Sequence, residues 1–230
     1  MPTALVLSAG GMFAAWEVGV WKALAPHLQP DLIVGASAGA LNGWAIAGGA
    51  TAAELEREWL DPQTGRALRS GALRRKAKHL FERYQPHRPF ALTVVEVPQF
   101  RLRVVQDGEI QWEHLAATCS IPLVFPPVRI GGHSYVDGGL MGALPLWAAQ
   151  QAGATRAIAL NCLNTSAFRM MHRSMRWRLP RATALDVVRI EPSVPLGTVL
   201  QSVTWSAARI ERYIALGEED GKRALTSITI

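Results

Sequence analysis

The chain runs to 230 residues, 49% hydrophobic and 18% charged, which is enough apolar material for the core of one domain. A net charge of +6 and a pI of 9.9 favour anionic partners, and nucleic acid, anionic lipid and acidic substrates all meet that description. The two cysteines, Cys119 and Cys162, lack paired spacing, which excludes a disulfide framework or a cysteine zinc site, and no apolar run reaches the roughly 18 residues of a membrane-spanning helix.

The first residues carry neither a charged n-region nor a long apolar h-region, so no signal peptide is expected and the default location is the cytoplasm. Residues 3–8 read as a strand, followed by the Ala9-Gly10-Gly11 turn. A helical pattern comes next, with Trp16, Val20, Ala23 and Leu24 on one face until Pro26 ends it. Residues 32–34 read as a second strand, and a helix of small residues occupies 41–48. This β-turn-α-β-turn-α order predicts a parallel sheet covered by helices, with both turns opening at the carboxyl ends of their strands.

Thr51 to Glu54 forms a capping box for a helix through Trp59, and residues 66–83 read as a basic helix. Strands are expected over 91–96 and 101–105, with Asp107-Gly108 turning a hairpin across 101–112. A short helix over 113–119 stops at Ile121-Pro122, and Pro122, Pro126 and Pro127 constrain the following loop. Residues 128–130 and 134–136 flank Gly131-Gly132 as a hairpin. Pro145 opens a helix to Ala152; 156–161 and 184–190 read as strands, and 202–225 as one long helix. Without repeats or a linker, residues 1–230 are expected to form a single domain.

Gly35-Ala36-Ser37-Ala38-Gly39 reads G-x-S-x-G between a strand and a helix. In that setting the serine sits at a sharp turn with its hydroxyl pushed outward, and the glycines keep neighbouring backbone from colliding. The helix N-terminus favours developing negative charge beside it. An ordinary βα turn produces the same five residues. Asp137-Gly138-Gly139 is likewise either a good turn or a carboxylate able to take a serine proton. A Ser-Asp-His order is available through Ser37, Asp137 and His172, but His172 falls in an irregular basic stretch, and His133 falls in a hairpin; both suit surface histidines. A dinucleotide G-x-G-x-x-G fails, because Gly10 opens Gly-Gly-Met-Phe-Ala-Ala. No metal-ligand cluster is visible, and no cofactor is expected.

Taken together, three blocks resemble the patatin-like phospholipase family. Residues 8–24 are similar to its oxyanion-loop block, residues 35–39 to its serine elbow, and 119–140 to its run from Ile-Pro through Phe-Pro-Pro to Asp-Gly-Gly. The resemblance implies an α/β fold of three layers, α/β/α, with a mainly parallel central sheet and helices on both faces. It implies a Ser-Asp dyad without histidine, Ser37 as nucleophile and Asp137 as general base in direct contact. It places oxyanion donors on Gly10, Gly11 and Met12, with Gly35, Gly39, Gly138 and Gly139 as motif residues. The family's first block usually reads Gly-Gly-Gly-x-Arg-Gly; here Phe13 stands at the arginine position, and Ala9 and Ala14 replace two glycines. The implied activity is hydrolysis of lipid ester bonds through an acyl-enzyme. A lipid-binding or regulatory member with weak or no catalysis is the second reading.

Residues 66–83 hold seven and residues 168–181 hold five of the 24 Lys and Arg. The second stretch mixes Arg with Met, Phe and Trp, a composition for an anionic lipid interface or a mobile lid, and equally for a solvated basic surface. The expected partners are a lipid ester and, peripherally, an anionic membrane surface. No RNA-binding motif is present, so nucleic acid is not expected.

Overall fold

A computed structural model of the chain describes residues 1–66, 71–163, 182–226 and 228. The basic stretch 168–181, His172 included, lies outside the described residues.

Four short apolar strands build the parallel heart of the sheet: β1 (Thr3–Leu7), β2 (Leu32–Ala36), β7 (Arg156–Leu160) and β8 (Asp186–Ile190). β1 pairs with β2 and β7, and β7 with β8, all parallel. The near-continuous apolar runs of β1, β2 and β7 follow from burial on both faces, whereas β8, at the end of the sheet, exposes Asp186 and Arg189. Alternate residues divide between the two faces. Leu5, Leu7, Ile33, Ile158 and Leu160 point into one core, beneath α1 (Ala15–Leu24) and α2 (Ala38–Ala47). Ala4, Val6, Leu32, Val34, Ala157 and Ala159 point into the other, under Trp147, Ala148 and Ala149 of α7 (Leu146–Gln151). The result is the expected three-layer α/β/α arrangement.

The sheet runs β5-β6-β3-β2-β1-β7-β8, with β4 (Arg101–Gln106) on the other edge of β3 (Phe90–Val97). β5 (Val128–Ile130) and β6 (His133–Asp137) are the antiparallel hairpin turned by Gly131-Gly132. β3 changes neighbour along one edge. Its first half pairs with β2 up to Ala36 opposite Thr93, and its second half pairs with β6, starting at Asp137 opposite Val94. That change of neighbour is where the site lies.

Three expected elements differ. The hairpin turn falls at residues 98–100, joining β3 to β4, and not at Asp107-Gly108. Asp107 forms one 3-10 turn, and its carboxylate instead accepts from the Phe90 N–H at 3.0 Å, which ties down the start of β3 before α6 (Trp112–Ala117). The basic region is divided between α4 (Pro62–Arg66) and α5 (Ala72–Arg83), with Gly71 left-handed at φ 80 as α5 begins. The long helix expected over 202–225 starts later, as α9 (Ala207–Leu225), and a separate single turn, α8 (Val199–Ser202), precedes it. The stretch between them lets Trp205 lie against Gly65 and donate its indole N–H to the Trp59 carbonyl at 3.0 Å. The Thr51 capping box on α3 (Ala52–Leu60) is as expected.

Candidate active site

Ser37 joins β2 to α2 at φ 52, ψ −131. A non-glycine residue there is strained by roughly 1–3 kcal/mol and persists only where its surroundings over-determine it. The surroundings are specific: the Ser37 N–H donates to Thr118 Oγ1 at 2.9 Å, and Thr118 Oγ1 donates to the Thr93 carbonyl at 2.8 Å. A Cβ on Gly35 would collide with the backbone of Ala40, and one on Gly39 with the Leu7 and Ser8 backbone. The elbow therefore needs both glycines for close approach.

The Ser37 hydroxyl donates to Asp137 Oδ2 at 2.7 Å. Asp137 Oδ1 accepts from the Gly139 N–H at 2.7 Å, and the Asp137 N–H reaches the Ser120 carbonyl at 3.0 Å. Both side chains are buried, Ser37 and Asp137 each at 5% exposure. Burial pushes the Asp137 carboxyl up to about 7, against the opposing pull of its hydrogen bonds from Ser37 and Gly139. A carboxylate poised near neutral pH is suited to exchanging a proton with a bound hydroxyl.

Ser37 opens onto a cavity of about 720 Å³, its mouth included. Leu41, Leu55, Trp59, Leu73, Leu80 and Phe125 make it largely apolar, and Gly11, Met12 and Ala38 share its lining with the serine. Gly10 stands behind this wall, where a Cβ would strike Cys162 Sγ. Gly11 is left-handed at φ 54 and has the Ser202 carbonyl directly against it. Phe13, at the family's arginine position, is a core residue set edge-on to Tyr213 with ring centroids 5.5 Å apart. Gly138 lies against the Thr93 carbonyl and Gly139 against Ala9, so the Asp-Gly-Gly turn packs on the first glycine loop.

The alternative base, His133, pairs with Glu96 through Nδ1 at 2.6 Å and has a side chain 60% exposed. His172 lies outside the described residues. Among the described residues no group of three or more His, Cys, Asp and Glu side chains could hold a metal ion, and no helix is long and apolar enough to cross a membrane. Cys119 and Cys162 are buried free thiols.

Two supporting groups escape the sequence motifs. Thr118 sits in the helix-to-loop stretch before Ile121-Pro122, where nothing local distinguishes it. Glu17 left a better signal, an acid on the buried side of α1. It is fully buried, and its carboxylate accepts from the Ser8 N–H at 2.8 Å, the Ser8 hydroxyl at 3.1 Å and Asn42 Nδ2 at 3.1 Å. Those donors favour the ionised form, but burial dominates and pushes Glu17 up to about 8. Asn42 in turn accepts from Trp59 Nε1 at 2.8 Å. One carboxyl thus ties the end of β1, where the first glycine loop starts, to α2, which carries the serine.

A family model described as patatin-like phospholipase matches residues 5–149. Patatin-like phospholipase domain-containing protein 6 of Homo sapiens and of Mus musculus is 27% identical over 180 residues, covering 69% of this chain and 13% of each relative. Patatin-like phospholipase domain-containing protein 7 of Rattus norvegicus matches at the same identity and coverage. The chain therefore spans about 13% of the length of these curated relatives. The crystal structure of VipD from Legionella pneumophila superposes with a TM-score of 0.55 at 11% identity, covering 98% of this chain and 67% of that one, a likeness of fold.

Proposed function

This chain belongs to the patatin-like phospholipase family, and on that footing we propose that it is a lipid acyl hydrolase with Ser37 as nucleophile and Asp137 as general base. The observation that carries the reading is the 2.7 Å hydrogen bond between a strained serine at the wall of an apolar cavity and a buried carboxylate. Ser37 Oγ attacks the ester carbonyl carbon while its proton passes to Asp137 Oδ2. The carbonyl oxygen, now an oxyanion, is met by backbone N–H groups of the Gly10–Met12 loop. The N–H of Ala38, the residue after the nucleophile, joins them. Collapse of the tetrahedral intermediate returns the proton to the leaving alcohol and leaves an acyl-enzyme. Water then repeats the sequence, with Asp137 accepting its proton and Ser37 Oγ departing with it.

The apolar cavity suits an acyl chain, and residues 1–230 are read as one domain, since the sheet draws strands from Thr3 to Ile190 and α9 packs back on α1. A fluorophosphonate probe tests the proposal. Covalent labelling mapped to Ser37 is expected. If a control serine hydrolase labels under the same conditions and this protein does not, the lipid-binding reading replaces the enzymatic one.

A further inference from the structure

We propose that Leu123 and Val124 are a docking edge that sets the mouth of the cavity onto an anionic phospholipid bilayer; the proposal rests on reading the site as a lipid hydrolase. Leu123 is 106% exposed and Val124 53%. Leu123 also stands at φ 70, a left-handed backbone that a leucine adopts only at a cost. Among the described residues, no packing accounts for a strained backbone that thrusts a large apolar side chain fully into water. The tip is also stiff. Pro122, Pro126 and Pro127 bracket it, and the N–H groups of Val124 and Phe125 both return to the Ile121 carbonyl, at 3.1 and 2.9 Å. A stiff apolar tip loses little freedom when it enters a lipid layer.

Its place relative to the site gives the tip a role. Ile121 and Phe125, on either side of the exposed pair, turn inward, pack with Leu73 and Cys119, and line the cavity that holds Ser37. A second exposed apolar turn is α8, whose Ser202 carbonyl lies on Gly11 of the glycine loop, itself a cavity-lining residue. There Val199 and Leu200 are exposed at 54% and 68%. Exposed apolar side chains therefore occur on two stretches that adjoin cavity-lining residues.

The charges around this edge choose the surface. Arg74 and Arg75 are exposed and follow Leu73 directly on α5; Arg129 is exposed just beyond the proline loop. Neither 71–81 nor 118–136 contains an acidic residue, and 194–208 contains no charge of either sign. Apolar tips beside exposed arginines match an anionic interface: the tips enter the acyl region and the guanidinium groups meet lipid phosphates.

Both native cysteines are buried, so a Leu123→Cys variant takes a polarity-sensitive thiol dye at one site. A Ser37→Ala background prevents turnover. With vesicles of phosphatidylcholine and phosphatidylglycerol in equal parts, the dye emission is expected to shift to the blue. The same dye on Asp186→Cys, on the edge strand β8, is expected not to shift. Leu123→Ser with Val124→Ser raises the lipid concentration for half-maximal cosedimentation about tenfold or more. Arg74→Ser with Arg75→Ser, outside the loop, weakens binding to these vesicles and leaves any binding to pure phosphatidylcholine unchanged. An unshifted dye at 123, unchanged cosedimentation in both double variants, or a lipid-independent shift that grows with protein concentration overturns the proposal; the last outcome makes this edge a contact between copies. Vesicle binding by a parent protein that neither labels nor hydrolyses overturns the hydrolase reading alone.

Discussion

Ala36 and Asp137 occupy consecutive places along one edge of β3, opposite Thr93 and Val94 respectively. The residue after Ala36 is Ser37, so strand pairing brings the two residues together, and the strained elbow sets the Ser37 hydroxyl 2.7 Å from the Asp137 carboxylate. The pair is set by the central sheet. Preorganisation of this kind is what the proposed two-residue catalytic unit needs.

Ser37→Ala and Asp137→Asn should each lower kcat for a chromogenic acyl ester by about 10³-fold or more, and the double variant should lose little beyond either single change, because the two act as a unit. The folded state should survive both. Asp137→Asn removes a buried carboxyl that burial has already pushed up to about 7, so its melting temperature should match or exceed that of the parent. Steady-state kinetics alongside thermal melts check this. Substantial activity in either single variant sinks the dyad.

The same carboxyl sets the pH dependence. In the proposed role of base Asp137 must be ionised, and burial raises its carboxyl to about 7. The kcat/KM for a neutral ester should therefore climb through pH 6–8, centred near 7, and flatten above it, rather than climbing near the usual carboxylate value of roughly 4. A profile already flat from pH 5 upward would remove Asp137 from the role of base.

The core of this arrangement was legible in the chain because it is local. Residues 32–39 carry strand, turn and helix in one run, and the collisions awaiting a Cβ at Gly35 or Gly39 are with backbone a few residues away or on β1. The contact between Ser37 and Asp137 spans a hundred positions and came only from a resemblance of blocks; what makes it is the change of partner along β3, which no periodicity encodes. The misplaced hairpin has the same origin. Asp107-Gly108 is a good turn by itself, but the Asp107 carboxylate is taken by the Phe90 N–H. The helix expected over 202–225 starts later because Trp205 is drawn to Trp59 and Gly65, a tertiary demand without a local breaker.

Glu17 gives a stability prediction with a defined sign. Its carboxyl has an ordinary pKa of 4.5 and is raised to about 8 in the fold by burial. Between those values the folded protein binds the proton that the unfolded chain has released, so the contribution of Glu17 to stability falls as pH rises and is lost fully above about 8. Glu17→Gln removes that dependence. The amide sets an NH2 group against Asn42 Nδ2, a fixed handicap, so the trend with pH is the readout. The stability of the variant minus that of the parent should grow by more than about 1 kcal/mol between pH 5 and pH 8 and then level off in urea titrations. A difference independent of pH would mean that Glu17 is ionised throughout.

Gly11→Ala tests the glycine loop. The residue is left-handed at φ 54 with the Ser202 carbonyl against it, so a methyl group must shift the loop. Displacing one oxyanion donor typically raises the barrier by roughly 3 kcal/mol, about a hundredfold in kcat. Fluorophosphonate labelling of Ser37 should slow in parallel while KM for a short ester changes little. A loss confined to KM would place the loop in substrate binding only.

Thr118 holds the elbow through its side-chain hydroxyl. Its hydroxyl accepts the Ser37 N–H at 2.9 Å and donates to the Thr93 carbonyl at 2.8 Å, and the residue is fully buried. Thr118→Val keeps the shape but leaves the Ser37 N–H without its acceptor next to a backbone already strained at φ 52. An orphaned buried donor costs about 1–3 kcal/mol, and the strained turn has a ready way to relieve it by rotating toward ordinary dihedrals. That rotation moves Ser37 Oγ away from Asp137 Oδ2. Thr118→Val should therefore lower stability by that amount and lower kcat about tenfold or more with KM nearly constant, whereas Thr118→Ser should restore both. A purely structural role predicts the stability loss without the fall in kcat, so the split between the two measurements decides whether Thr118 positions the nucleophile.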